Sequence, residues 1–150
     1  MKKILSFFML ALALVPTMFL AGCNDGDSAK AVRNKTYYVT SAFENTTDIT
    51  ETCKNANFRI SFFTENFKVE YGLETQTATY GYYLGTYSVK DNKVTLNINQ
   101  YGGVFTNYST SSSTKQKIFS SFTYSNGALR TEFVVESSVM QYRLALPAEN

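Results

Sequence analysis

Beyond residue 36 the chain exchanges apolar and polar positions every second residue along several short stretches. Phe58, Ile60 and Phe62 alternate with Arg59 and Ser61, and Phe67, Val69 and Tyr71 with Lys68 and Glu70. The same beat returns in Val94, Leu96 and Ile98, in Leu129, Thr131, Phe133 and Val135, and in Met140, Tyr142, Leu144 and Leu146. A period of two with one apolar face marks a half-buried antiparallel strand. The residue types agree, because Tyr, Phe, Val and Thr suit a pleated surface.

Turn chemistry falls between these runs. Asp91-Asn92 separates Tyr87–Lys90 from Lys93–Ile98, and Asn126-Gly127 separates Phe119–Tyr124 from Leu129–Val135. Asn and Gly adopt the left-handed conformations that tight hairpins need. Thr64-Glu65-Asn66 joins Phe58–Phe63 to Phe67–Tyr71. The stretch Ala78–Lys90 is long for one flat strand, and Gly81 and Gly85 within it are natural sites for bulges or bends. The pattern predicts about eight strands, starting near Tyr37, Phe58, Phe67, Ala78, Lys93, Gln116, Ala128 and Val139. That number closes a sheet around side chains or one small ligand and removes exposed edges. The expected fold is all-β: an antiparallel meander closing into a small barrel.

Two connections are long. Glu44–Asn57 has helical character around Thr47–Lys54 and is read as a short helix plugging one barrel end. Gln100–Lys115 holds Gly102-Gly103 and a Ser/Thr run from Ser109 to Thr114. It reads either as an ordinary surface loop or as a lid over a mouth.

The first segment breaks the pattern. Met1-Lys2-Lys3 is followed by an almost wholly apolar run from Ile4 to Leu20, then by Ala21-Gly22-Cys23. A basic start, an apolar middle and small residues before a fixed point form the layout of a secretory signal. Leu20-Ala21-Gly22-Cys23 has the form of the lipobox at which bacterial lipoproteins are cleaved and acylated. A membrane-spanning helix would need about 20 apolar residues; the lipobox ending is the reason to read a cleaved signal instead. The expected organisation is a signal peptide over 1–22, a lipidated polar tether over 23–35 starting at acylated Cys23, and a barrel domain over 36–147. The attachment to the membrane is then through acyl chains on Cys23, and more than one chain makes such anchoring stable. In enteric lipoproteins, which this segment resembles, Asp directly after the acylated cysteine retains a protein at the inner membrane; here that position is Asn24, with Asp25 one later, so the resemblance implies the outer membrane of a bacterial cell envelope.

Composition narrows the chemistry. The 150 residues carry 14 basic and 12 acidic side chains and no His. Loss of residues 1–22 takes Lys2 and Lys3 and leaves 12 of each sign, so no basic excess favours nucleic acid. With Cys23 acylated, Cys53 has no partner for an intramolecular disulfide. A reactive thiol would want a base beside it, and without His a structural Cys53 is expected. Glu70 and Glu132 face away from the apolar sets, as solvated carboxylates do. No phosphate-cradling glycine loop and no calcium-loop spacing occurs. The expectation is therefore a protein that is not an enzyme and has no cofactor, no metal and no nucleic-acid partner.

The segment Gly85-Thr86-Tyr87-Ser88-Val89-Lys90-Asp91-Asn92-Lys93-Val94-Thr95-Leu96 resembles a hairpin that recurs in the small lipocalin-like lipoproteins of Gram-negative bacteria. Asn34–Val39 resembles their first strand, with Asn34 where that strand often has Gly and no Trp after it. Phe58–Tyr71 and Phe122–Leu129 resemble further hairpins, so the likeness runs from about Asn34 to Leu146. It implies a lipocalin-like barrel more than an activity.

The aromatic load of the expected mature chain, nine Phe and 11 Tyr with no Trp, is the feature best able to carry function. It reads as barrel core, as the lining of an apolar cavity, or as an exposed binding face, where a tyrosine ring is apolar and its hydroxyl stays wet. Adjacent Tyr82 and Tyr83 must take opposite faces of a strand. Phe58, Phe62, Tyr87 and Phe133 are the candidate ligand-binding residues. The functional expectation is an outer-membrane or periplasm-facing lipoprotein acting as a non-catalytic binding module for a small apolar ligand. The alternative is a lipid-tethered interaction subunit or inhibitor of another envelope protein.

Overall fold

The computed structural model describes residues 26–105, 108–109, 116–117 and 119–148. The expected signal segment, Cys23 and much of the Ser/Thr run lie outside the described residues. The elements in chain order are α1 (Gly26–Val32), β1 (Lys35–Glu44), β2 (Thr47–Asp48), α2 (Thr50–Asn55), β3 (Arg59–Phe62), β4 (Asn66–Tyr71), β5 (Gly81–Lys90) and β6 (Lys93–Gly103). They continue with β7 (Tyr108–Ser109), β8 (Gln116–Lys117), β9 (Ser121–Ser125), β10 (Ala128–Val135) and β11 (Ser138–Ala145).

Eight of these strands close a barrel in the order β1-β3-β4-β5-β6-β9-β10-β11, each antiparallel to its neighbours, with β11 returning to β1. Closure runs from Tyr38 opposite Ala145 to Glu44 opposite Met140. β2 folds back on the end of β1, and β7 and β8 make a separate parallel pair. The inner wall follows the alternation. Ile60, Phe62, Phe67, Val69, Val94, Leu96, Leu129 and Leu144 are all buried. No helix among the described residues is long and apolar enough to cross a membrane.

Two irregularities shift the phase of the pattern. One lies between Val39 and Ser41 against β11, the other between Leu84 and Gly85 against β6. A Cβ on Gly85 would sit 1.9 Å from the Asn97 carbonyl oxygen, so the strands meet there only because that side chain is missing. The turns use the residues that tolerate left-handed backbone: Asn34, Asn45, Asn57, Asp91, Asn92 and Asn126 all have positive φ. Glu136, with φ 55°, is the one other non-glycine residue to do so among the described residues.

Three local differences from the pattern have physical causes. The strand expected from Ala78 begins at Gly81, because the Thr79 and Tyr80 amides both donate to the Gln76 carbonyl and close a turn first. The strand expected near Gln116 joins the barrel only at Ser121, where it pairs with Thr95. Residues 26–32 of the expected tether form α1, because Ala29 and Val32 on one side of it enter the core. Asn34 supplies the left-handed residue just beyond the helix end.

Candidate functional site

The two barrel ends are built differently. At one end α1 is the stopper. Val32 and Tyr37 are fully buried, and the Tyr37 hydroxyl donates to the Ala31 carbonyl at 3.0 Å. Phe62 packs edge-on to both Tyr37 (6.0 Å between ring centres) and Tyr87 (4.9 Å). The Tyr87 hydroxyl donates to the Phe63 carbonyl at 2.8 Å.

The other end carries α2 and a cavity of about 440 Å3, within the size range of small-molecule sites. The Thr50 hydroxyl accepts from the Ala42 amide (2.9 Å) and lies 3.3 Å from the Ala42 carbonyl, which fixes α2 to β1. α2 thereby turns Cys53 towards the cavity, which Cys53 lines. Burial pushes the Cys53 thiol up to about 11, so it is a neutral thiol at neutral pH.

Aromatic residues make up half of the lining. Phe119 is their hub, with ring centres 5.8 Å from Phe58, 5.6 Å from Tyr83 and 5.6 Å from Phe133. Phe133 stacks on Tyr142 at 5.9 Å and 14°. Tyr71 and Phe105 close the side towards β4 and β6, 6.2 Å apart. The rim holds Val104, Glu44, Glu136, Ser138 and Met140, and no Lys or Arg is among the described lining. The Ser138 hydroxyl donates to Glu44 at 2.8 Å. The tips of the two hairpins are laced together, since the Asn45 amide donates to the Val139 carbonyl (2.7 Å) and the Val139 amide to the Asn45 side chain (2.9 Å).

Of the four candidate ligand contacts, Phe58 and Phe133 line this cavity, while Phe62 and Tyr87 are packed at the α1 end. Tyr82 and Tyr83 do take opposite faces: Tyr83 is buried inside, and Tyr82 lies outside beneath the Lys68 ammonium. Pattern reading passed over Glu136, Met140 and Tyr142 as site residues. The signal available was Glu136-Ser137 as a short polar gap between two alternating runs, which places a hairpin tip there.

A second polar cluster lies outside the barrel. Glu70 is 7% exposed and pairs with Arg59 (3.0 Å) and Lys68 (2.9 Å), and it accepts the Tyr80 hydroxyl at 3.0 Å. Burial pushes its carboxyl up, but the bonds from Lys68 and Tyr80 and the nearby positive charges outweigh this and leave its pKa lowered. Its partners fill its oxygens, and the cluster works as a clamp across β3, β4 and Tyr80. The exposed apolar residues Phe63, Leu73 and Val134 sit on separate parts of the chain: the β3–β4 turn, the loop after β4, and β10. Among the described residues no three His, Cys, Asp or Glu side chains gather as metal ligands would.

No protein-family model, no curated protein and no solved structure matches this chain significantly. The chemistry of the cavity therefore carries the functional reading.

Proposed function

We propose that this chain is a lipid-anchored protein of the bacterial envelope whose barrel binds a small apolar ligand in the cavity beside α2. The observation that carries the reading is the contrast within one barrel. At the α1 end Val32, Tyr37, Phe62 and Tyr87 are buried against one another, yet at the other end the aromatic side chains border about 440 Å3 of cavity. Ring surface that borders the cavity has no partner atoms on that side, and a bound apolar body supplies them. The anchor is the acylated Cys23, supported by the Leu20–Cys23 motif.

The test uses the full-length protein in lipid nanodiscs and a neutral fluorophore, 1-aminoanthracene. Its emission should rise and shift to the blue on binding, beyond the signal of empty discs. Met140→Trp, which fills the mouth, should abolish that difference. An unchanged signal in Met140→Trp, or none above empty discs, would sink the ligand reading. The anchor is tested separately, by loss of a palmitate-analogue label in Cys23→Ala.

A further inference from the structure

We propose that the cavity selects a small organic cation, whose ammonium group is held at the mouth by Glu44 and Glu136 and whose buried end presents a hydrogen-bond acceptor to Tyr83. The proposal rests on the cavity reading and names the ligand class for it.

The first observation is the charge of the lining. The described cavity residues include two carboxylates and no base, in a chain whose expected mature form has equal numbers of each sign. Both carboxylates stand at the rim, on neighbouring hairpins tied through Asn45 and Val139. Behind them Phe58, Phe119, Phe133 and Tyr142 line the wall. Aromatic faces attract cations through their ring quadrupoles, and desolvation strengthens the attraction. An anion entering the same space would meet two like charges and no base.

The second observation is Tyr83. Its ring lines the cavity and packs against Phe67, Phe105 and Phe119 at 6.1, 5.6 and 5.6 Å. Its hydroxyl is shut off from water and has no hydrogen-bond partner among the described residues. Tyr37, Tyr80 and Tyr87, the other buried tyrosines, all donate to a named acceptor. A buried hydroxyl left unpaired is unfavourable and rare. Burial, then the neighbouring Tyr142 and Tyr101 phenols, holds its pKa well above the ordinary value. It therefore stays protonated and lacks only an acceptor, which a carbonyl or ether oxygen on the ligand would supply.

The third observation is Glu136. The other described non-glycine residues with positive φ are Asn or Asp, which tolerate that backbone, whereas glutamate does so poorly. A carboxylate stands at this hairpin tip against local preference, and the tip is the cavity rim.

The experiment compares three naphthyl methyl ketones that differ in one substituent: trimethylammoniomethyl, hydroxymethyl or sulfonatomethyl. Each is titrated calorimetrically into the full-length protein in phosphatidylcholine nanodiscs, with empty discs subtracted. The cation should bind about fivefold tighter than the neutral ketone, with the gap shrinking as salt is added, and the anion should bind weakest. The double variant Glu44→Gln, Glu136→Gln should erase the difference between the cation and the neutral ketone. Tyr83→Phe should weaken the neutral ketone about fivefold while raising the protein's melting temperature, which shows that the variant is folded. Equal affinity for all three ketones would overturn the proposal and leave the cavity reading standing. A neutral ketone that binds Tyr83→Phe as tightly as the native chain would overturn its acceptor half. Failure of all three ketones together with 1-aminoanthracene would remove the cavity reading itself.

Discussion

The two ends of this barrel are made from the same residue types and finish in opposite states. At the α1 end two buried tyrosines each find a backbone carbonyl, at 3.0 and 2.8 Å, and their rings pack edge to face around Phe62. At the α2 end Tyr83 finds no acceptor among the described residues and the rings enclose a cavity. What differs is the stopper. α1 pushes Val32 into the barrel, where it is fully buried. α2 lies against β1 and offers only Cys53 to the lumen side. Aromatic content alone therefore does not decide between core and binding site; the decision rests on whether an element outside the wall fills the remaining volume.

The sharpest way to break this comparison is to make the same truncation at both ends. Phe62→Ala should cost about 3–5 kcal/mol of unfolding free energy, because the cavity it leaves is walled on every side. Phe133→Ala should cost about 1–2 kcal/mol, since one side of that half-buried ring already borders empty space. Urea midpoints at constant slope measure both, and equal losses would mean that the two ends are packed alike.

A smaller effect is expected at the outer clamp that steadies the cavity end. The Tyr80 carbonyl accepts from the Val104 amide at 3.1 Å, and Val104 lines the rim. Glu70, which holds the Tyr80 hydroxyl, has a pKa lowered in the fold. Its stabilisation is complete above the pKa of an unfolded glutamate and is lost as the pH falls through the lowered value. Glu70→Gln should cost about 1 kcal/mol at neutral pH after allowance for solvent screening, and the variant should lose less than the native protein on acidification. Identical acid-unfolding curves would show that the clamp carries no net energy.

Tyr83→Phe should go the other way and stabilise the ligand-free protein by about 1 kcal/mol, a rise of roughly 3–5 °C in melting temperature. The same change at Tyr37 should destabilise, because there it removes a satisfied bond and leaves the Ala31 carbonyl without it. The least effect on stability belongs to Cys53. Its thiol, pushed up to about 11 by burial, should react with an aromatic disulfide reagent at pH 7 far more slowly than in the unfolded chain. A cavity ligand should slow it further, and rapid labelling of the folded protein would show that α2 opens freely.

The residue pattern settled the β-strands, their apolar faces and most of their turns. Alternation is a local property, and so is the tolerance of Asp91-Asn92 and Asn126-Gly127 for left-handed backbone. Three things needed the closed barrel. Alternation says that Tyr82 and Tyr83 point apart, but two tyrosines give no sign of which is inside; that follows from the pairing of Tyr83 with Val69 and Tyr101. The phase slips beside Val39 and Gly85 are invisible along one strand, because a bulge is a relation between two. The polar stretch 26–32 became a helix only because the barrel presents an open end for Ala29 and Val32 to cover. The cavity is the extreme case of the same rule: it is the volume left when distant residues such as Phe58, Phe119 and Tyr142 are brought together, and no local pattern encodes a space between side chains.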